Sequence, residues 1–265
     1  MAQSVHVSHA ASAQPEIRKI GLSDIAHALM EGVDDFRAKP THLYYLAFIY
    51  PIVTLGAFLV VFNDNLLPLV FPVVSGALLV GPFLTISLCE ISRKRELGMD
   101  IAPGNSGNFL RNPAAGDIIA LGAMLMALFL IWLGVAMTIY GLTLGDPWNN
   151  MMTTSVQDFV TRLITTPDGW ALIAVGNIVG FLFAVTALCV GAISFPMLLD
   201  RNVGLSTAIK TSVRAALANP IMVLIWGLIV GVSLIVGAIP FLVGLALIIP
   251  ILGHATWHFY RKLIV

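Results

Sequence analysis

Six long apolar segments alternate with short polar connections, and the basic residues occupy every second connection. Thirteen of the 14 Lys and Arg residues lie before the first segment, between the second and third, between the fourth and fifth, or after the sixth; only Arg162 lies elsewhere. About 20 apolar residues in a helix cross the hydrocarbon core of a bilayer. Basic residues in short loops stay on the cytoplasmic side. The pattern therefore predicts an all-α polytopic membrane protein with six transmembrane helices and both termini in the cytoplasm.

The predicted spans pair into three hairpins within a single transmembrane domain, residues 16–265. They are residues 43–62, 67–92, 116–141, 169–199, 221–239 and 241–260. A hydrophobic content of 58% exceeds that of soluble domains, which is near half. Residues 1–15 lack the apolar stretch of a secretory signal, so we predict a disordered cytoplasmic tail. The net charge of zero argues against a nucleic-acid partner and leaves the lipid bilayer as the expected environment.

Two of the cytoplasmic connections carry a helical pattern of apolar residues just before a span. One opens near Ser23 and stops before Pro40; the other opens near Ser206 and stops before Pro220. Ser is a favoured helix N-cap, and the residue before Pro is pushed out of the helical region. We therefore predict cytoplasmic juxtamembrane amphipathic helices in which Ser is the cap.

The outer connection between the third and fourth spans has a pattern of its own. Ser155 and Asp158 have the spacing of a capping box, and apolar residues then recur at helical spacing. The pattern predicts a short amphipathic helix. It lies either on the outer membrane surface or as a lid over the bundle, and the sequence favours neither.

Small residues recur at a spacing of four in two of the spans. Gly176 and Gly180 lie in the fourth span, and Gly227 and Gly231 lie in the fifth. Such pairs let helix backbones approach closely in a membrane. We predict that these glycines lie at helix contacts, within one chain or between two chains.

Two histidines in the sixth span are the first candidates for chemistry. His254 and His258 are four residues apart and share a helix face, from which both could reach one metal ion or a haem. The competing interpretation, which we favour, places them in an anchoring belt with Trp257, Tyr260 and Arg261 at the cytoplasmic interface.

A charged layer is the second candidate. Glu90 and Arg93 end the second span, and Asp200 and Arg201 end the fourth, at about the depth expected for His254. A carboxylate at the membrane edge is commonly paired because an unpaired charge in a low dielectric is costly. Such a layer could gate a pathway or dock a partner. We favour the interpretation that it is a set of ion pairs that ties the hairpins together.

No ionisable residue lies near the middle of a predicted span, whereas ion-coupled transporters usually carry one there. A path for a neutral solute would have to use the few polar residues of the spans. These are Thr85, Ser87, Asn177, Thr186, Ser194 and Ser233. No Walker A, HExxH or GxSxG motif is present, so the sequence indicates no enzyme.

Several motifs resemble an uncharacterised proteobacterial family of integral membrane proteins. The motifs are SFPMLLDR at 194–201, Asn219-Pro220, Trp226-Gly227, PILGHATWHFYR at 250–261, Asp35-Phe36-Arg37 and Tyr50-Pro51. Some members of that family carry the label cytochrome c oxidase subunit, and no activity is attached to the family. The resemblance implies a location in the bacterial inner membrane.

The oxidase label can be compared with the histidines. A catalytic haem–copper subunit needs six histidine ligands on several spans, whereas this sequence places only His42, His254 and His258 near the membrane. We therefore predict neither a catalytic oxidase role nor a bound cofactor. The expected function is an accessory, assembly or organising factor for a membrane complex, with a respiratory complex as the candidate partner. The alternatives are a carrier or channel for a small neutral solute and a haem- or metal-binding redox protein.

Overall fold

A computed structural model describes residues 15–39, 85–99, 112–145, 156–238 and 244–265. The predicted span 43–62, and the predicted span 67–92 before Thr85, lie outside these ranges. The described residues form nine helices: α1 (Leu22–Ala38), α2 (Ile86–Glu96), α3 (Ala115–Thr143), α4 (Val156–Thr165), α5 (Pro167–Gly191), α6 (Ser194–Asp200), α7 (Leu205–Ala218), α8 (Pro220–Ala238) and α9 (Leu245–Leu263). Apart from one isolated bridge, these ranges contain no β-structure.

Three helical stretches of the described chain are long and apolar enough to cross a membrane. They are α3, α5 together with α6, and α8, and they coincide with the predicted spans 116–141, 169–199 and 221–239. Large apolar side chains stand exposed on their outer sides, as for Ile178 and Leu228. Lipid-facing helices carry such surfaces because lipid tails are as apolar as the side chains.

The predicted span 169–199 is not one continuous helix. It is broken at Ala192 and Ile193, where α5 ends and α6 begins. Pro196 explains the break: its nitrogen has no hydrogen to donate to the carbonyl of Ala192, and its ring crowds that carbonyl. A proline within an apolar stretch indicates such a kink from the sequence, whereas hydropathy alone does not.

The predicted sixth span, 241–260, is described from Gly244 onward. Over its described residues, the helix α9 does not combine the length and the hydropathy expected of a membrane-crossing helix. Its first half is apolar, whereas its second half carries His254, His258 and Arg261 and packs along α1. The described residues therefore give three candidate crossings, against the six that the sequence predicts.

The two predicted amphipathic helices are present, but the prediction that Ser caps them is wrong. The N-cap residues of α1 and α7 are Gly21 and Gly204, and Ser23 and Ser206 lie inside the helices. In α1 the carboxylate of Asp24 accepts a hydrogen bond from the Gly21 nitrogen at 2.9 Å. Gly204 has φ +78°, a backbone conformation that glycine adopts without steric cost, so it makes the turn into α7.

The short helix α4 packs back onto the end of α3. Its Phe159 ring stacks on Tyr140 with centroids 6.4 Å apart, and Arg162 donates to the carbonyl oxygen of Leu144 at 3.0 Å. Val160 and Ile164 remain exposed. The helix thus covers the end of α3 with one side and presents apolar residues on the other. Ser155, the proposed capping residue, lies outside the described residues.

The segment before α1 pairs with the end of α9. Ile17 and Ile264 form an antiparallel bridge, and the Arg18 nitrogen donates to the carbonyl oxygen of Leu263 at 2.9 Å. The side chain of Asn219 completes this junction, since it accepts from the Ile20 nitrogen at 3.0 Å and donates to the Arg18 carbonyl at 3.1 Å. The first and last described segments therefore lie at the same end of the molecule. Of the predicted tail, only Pro15 is described, and it is buried.

Candidate functional site: a polar cluster between four helices

Most of the ionisable side chains that contact one another across helices lie in one cluster, which we call the polar cluster. It joins α1, α2, α6 and α9, which come from distant parts of the chain. Its members are Glu31, Asp35, Ser92, Arg95, Glu96, Asp200, His254, Trp257, His258, Tyr260, Arg261 and Lys262.

Asp35 lies at the centre of the polar cluster and is only 6% exposed. Its Oδ2 lies 2.8 Å from Nε2 of His258, and its Oδ1 accepts from the guanidinium of Arg95. Burial alone would raise the pKa of this carboxyl group. Hydrogen bonds from His258 and Ser92, with the charges of the two nearby imidazoles, overcome that effect and hold the pKa below its ordinary value. Asp35 is therefore an ionised carboxylate at neutral pH.

His258 bridges two carboxylates of α1. While Nε2 faces Asp35, Nδ1 lies 3.4 Å from Oε2 of Glu31. Nζ of Lys262, one turn further along α9, donates to Oε1 of Glu31 at 3.1 Å. Since Glu31 and Asp35 are four residues apart, both face α9, and this spacing fastens α1 along it.

His254 is fully buried one turn before His258. Its Nδ1 is hydrogen-bonded to Oγ of Ser92 at 2.8 Å, while its Nε2 has no hydrogen-bond partner among the described residues. The two imidazoles therefore face different partners. Within the described ranges, no three or more His, Cys, Asp and Glu side chains are grouped so as to hold a metal ion.

The other side of α9 is bonded to α2 and α6. Trp257 donates through Nε1 to Glu96 at 2.7 Å, and Nε of Arg261 donates to the same carboxylate at 3.0 Å. The hydroxyl of Tyr260 donates to Oδ2 of Asp200 at 2.7 Å, and Arg261 lies 3.8 Å from that atom. A single turn of α9 thus connects two other helices.

The predicted cytoplasmic layer lies beside this cluster. Arg93 pairs with the buried Glu90 of its own helix at 2.8 Å, and this contact raises the pKa of Arg93 above its ordinary value. Arg201 lies 3.5 Å from Asp200. Among these four predicted residues, Asp200 contacts another helix, through the side chains of Tyr260 and Arg261. Further ties between helices are made by Glu31, Asp35 and Arg95, which lie outside the predicted layer.

The predicted packing glycines differ in their surroundings. A Cβ built on Gly180 would lie 3.1 Å from the ring of Trp132, and one on Gly227 would lie 2.6 Å from a methyl group of Leu188. A Cβ on Gly176 or Gly231 would meet no atom within 4 Å. One glycine of each pair therefore lies at a contact between described helices.

The polar residues proposed for a solute path do not share one interior surface. Asn177 and Thr186 are exposed on α5 and donate to carbonyl oxygens of their own helix, at 2.7 Å and 2.8 Å. Ser194 is buried and donates to the Val190 carbonyl at 2.6 Å. These side chains satisfy their hydrogen bonds locally.

Comparison with known proteins agrees with a membrane location. Residues 70–200 match the DUF2189 family of predicted integral membrane proteins. The matched stretch is just under half of the chain and includes α3 and α5, two of the candidate crossings. No curated protein matches the sequence, and no solved structure does. By the family match and the apolar helices, the chain is a predicted integral membrane protein of unknown function.

Proposed function

We propose that this chain is a non-enzymatic, multi-pass protein of the bacterial cytoplasmic membrane that acts as an accessory, assembly or organising factor for a membrane complex. The observation that carries the proposal is the way its ionisable side chains are used. The carboxylates of Asp35, Glu96 and Asp200 each have a hydrogen-bonding partner from a different helix. The polar cluster fastens the described helices together. A protein that offers a fixed surface to partner proteins requires such a rigid bundle.

The apolar outer sides of the spanning helices support a partner within the membrane. Phe181 on α5 and Ile235 on α8 are both more than half exposed, in helices that pack on few described neighbours. Such sides can be covered by lipid or by helices of another protein. The proposal assigns at least one of them to a partner complex, with a respiratory complex as the first candidate.

The proposed topology has six crossings with both termini in the cytoplasm. The bridge between Ile17 and Ile264 supports it, because it brings the two ends of the described chain to one side of the bundle. An even number of crossings between them is then required. The placement of basic residues assigns that side to the cytoplasm.

A carrier for a neutral solute is the competing function, and the local hydrogen bonds of Asn177 and Thr186 argue against these residues as a path. A haem or metal role for His254 and His258 stays a prediction. It is tested by the visible absorption of the purified protein and of its His254→Ala variant.

The proposed function is tested by purifying the tagged protein from its own membranes in a mild detergent and identifying what elutes by mass spectrometry. A multi-pass membrane protein with the same tag and similar abundance is the control. We expect partner subunits at fixed stoichiometry, and a lower abundance of those subunits in a deletion strain. A single species together with unchanged membrane complexes in the deletion strain contradicts the proposal.

The partner surface can then be mapped with two exposed substitutions. Phe181→Ala and Ile235→Ala remove apolar side chains from different helices without opening the core. Loss of the partner in one variant, with normal protein abundance in both, identifies the helix that it covers.

A further inference from the structure

The helix α7 is held against the bundle in a defined orientation. Its Ala208 and Ala215 are buried where it packs on α5 and α6, and Oγ of Ser212 donates to the carbonyl oxygen of Cys189 at 2.6 Å. These contacts fix which side of α7 faces outward. The outward side is therefore a stable surface of the protein.

Basic residues and one apolar residue follow one another along that outward side. Lys210, Arg214 and Leu217 are all exposed and lie three or four residues apart, which places them on one side of the helix. Leu217 is 75% exposed and lies three residues before the start of α8, whose Ile221 is also exposed. No acidic residue occurs in α7. The surface thus changes from basic to apolar toward the spanning helix.

This order matches the layers of a membrane leaflet. An apolar side chain as exposed as Leu217, next to the lipid-facing side of α8, is stabilised by hydrocarbon. The long side chains of Lys and Arg bury their methylene groups and keep their charged ends at the level of the lipid headgroups. Lys210 and Arg214 then lie where the phosphate groups of lipids are found.

We propose that Lys210 and Arg214 bind the headgroup of an anionic phospholipid in the leaflet at the α7 end of α8. The lipid supplies a phosphate and a net negative charge for the ammonium and guanidinium groups. A basic residue near an anionic surface contributes about 1 kcal/mol, so each one favours an anionic lipid about fivefold over a neutral lipid. The inference does not depend on the proposed accessory function, because it concerns lipid and not a protein partner.

The test uses the full-length protein in detergent with equal amounts of phosphatidylglycerol and phosphatidylcholine of the same acyl chains. Native mass spectrometry counts the lipids that remain bound. We expect the wild type to retain phosphatidylglycerol preferentially. The variant Lys210→Gln with Arg214→Gln should lose this preference by about fivefold for each charge removed, whereas Lys210→Arg with Arg214→Lys should keep it.

A matched control removes two exposed basic residues at the end of α1 that is far from the junction with Asn219, by Arg37→Gln with Lys39→Gln. This control should bind phosphatidylglycerol as the wild type does. An unchanged preference in the α7 glutamine variant, or an equal loss in the control, overturns the proposal. If the glutamine variant does not fold, the proposal is tested instead by measuring the lipid preference of the wild type at increasing salt concentrations. The preference should fall between roughly 0.05 M and 0.5 M NaCl because salt screens exposed charges, and a preference independent of salt also overturns the proposal.

Discussion

At the scale of single residues, His258 is the connection between α1 and α9. Its two ring nitrogens face Asp35 and Glu31, and the imidazole is only slightly exposed. Removing the ring takes away one of the partners that the buried Asp35 carboxylate has outside α1 and leaves Arg95 and Ser92. Removing one partner of a buried charge lowers the free energy of unfolding by a few kcal/mol, because the remaining charge is left without compensation. Replacing both members of such a pair by apolar residues costs less.

We expect His258→Ala to lower the free energy of unfolding by about 2–3 kcal/mol, because Asp35 loses its 2.8 Å partner. Equilibrium unfolding of the purified protein in mixed micelles measures this change. His27→Ala is the matched control, since His27 is exposed on α1 and should change stability by less than about 0.5 kcal/mol. Equal effects of the two substitutions would show that the contact with Asp35 does not stabilise the protein.

The pKa of Asp35 gives a prediction for acid conditions. Because the folded-state pKa lies below the ordinary value of 3.8, the carboxylate stabilises the folded state fully above that pH. The contribution is lost as the pH falls through the folded-state pKa. We expect the melting temperature of the wild type to exceed that of Asp35→Asn above pH 3.8, and the difference to shrink below it. If the difference in melting temperature persists unchanged well below pH 3.8, the lowered pKa of Asp35 is wrong.

The polar cluster contains three residues that the sequence had already named as candidates, for a physical reason. Asp200, His254 and His258 lie near predicted span ends, and span ends share one depth in a membrane. Their partners Asp35 and Glu31 were not predicted. The contact between His258 and Asp35 joins residues 223 positions apart, and periodicity shows which face of a helix is apolar but not which helix covers it.

At the scale of helices, α1 approaches α9 very closely. A Cβ built on Gly32 would lie 2.6 Å from both the backbone nitrogen and the Cβ of Ala255. The clash is with backbone, so it cannot be relieved by turning a side chain. Gly32 and Ala255 therefore set the distance at which the carboxylates of α1 can reach α9.

We expect Gly32→Ala to destabilise the protein by about 1–3 kcal/mol, because overcrowding outweighs the gain of about 1 kcal/mol in helix propensity. Hydrogen exchange should show earlier opening of α1. Gly134→Ala in α3 is the control: a Cβ there meets no atom within 4 Å, so this substitution should be neutral or stabilising. If Gly32→Ala is as well tolerated as Gly134→Ala, the close approach is not a constraint.

Helix boundaries followed from the sequence wherever proline marks them. The prediction ended the helical pattern before Pro220, and α7 ends at Ala218. Within the apolar stretch of the fourth predicted span, Pro196 likewise indicates a kink from the sequence. The break between α5 and α6 depends on Pro196, whose effect is local, whereas the apolar character of the stretch continues across it.

At the scale of the whole molecule, α4 and α7 lie at opposite ends of α5. Thr161 on α4 and Ser206 on α7 are both exposed, so each accepts a reporter cysteine without disturbing the core. If α5 crosses the membrane, the two positions face different compartments.

We expect a membrane-impermeant maleimide to label Thr161→Cys and Ser206→Cys from opposite sides, in a protein whose Cys89 and Cys189 are replaced by Ala. Lys19→Cys should be labelled from the same side as Ser206→Cys, because the junction of Ile17 with Ile264 lies at the end of the bundle where α9 ends. Labelling all three positions in intact cells measures this arrangement. Labelling of Thr161→Cys and Ser206→Cys from one side contradicts a crossing by α5.

The pairing of α1 with α9 also sets the order in which the protein is completed. Asp35 leaves the ribosome 223 residues before His258, an interval of roughly 10–45 s at ordinary rates of translation. During that time α1 displays its carboxylates and its apolar side without the helix that covers them. The later helix α9 thus closes the contact that α1 leaves open, and a nascent chain stalled before α9 exposes a surface that proteases and chaperones of the membrane can recognise as unfinished.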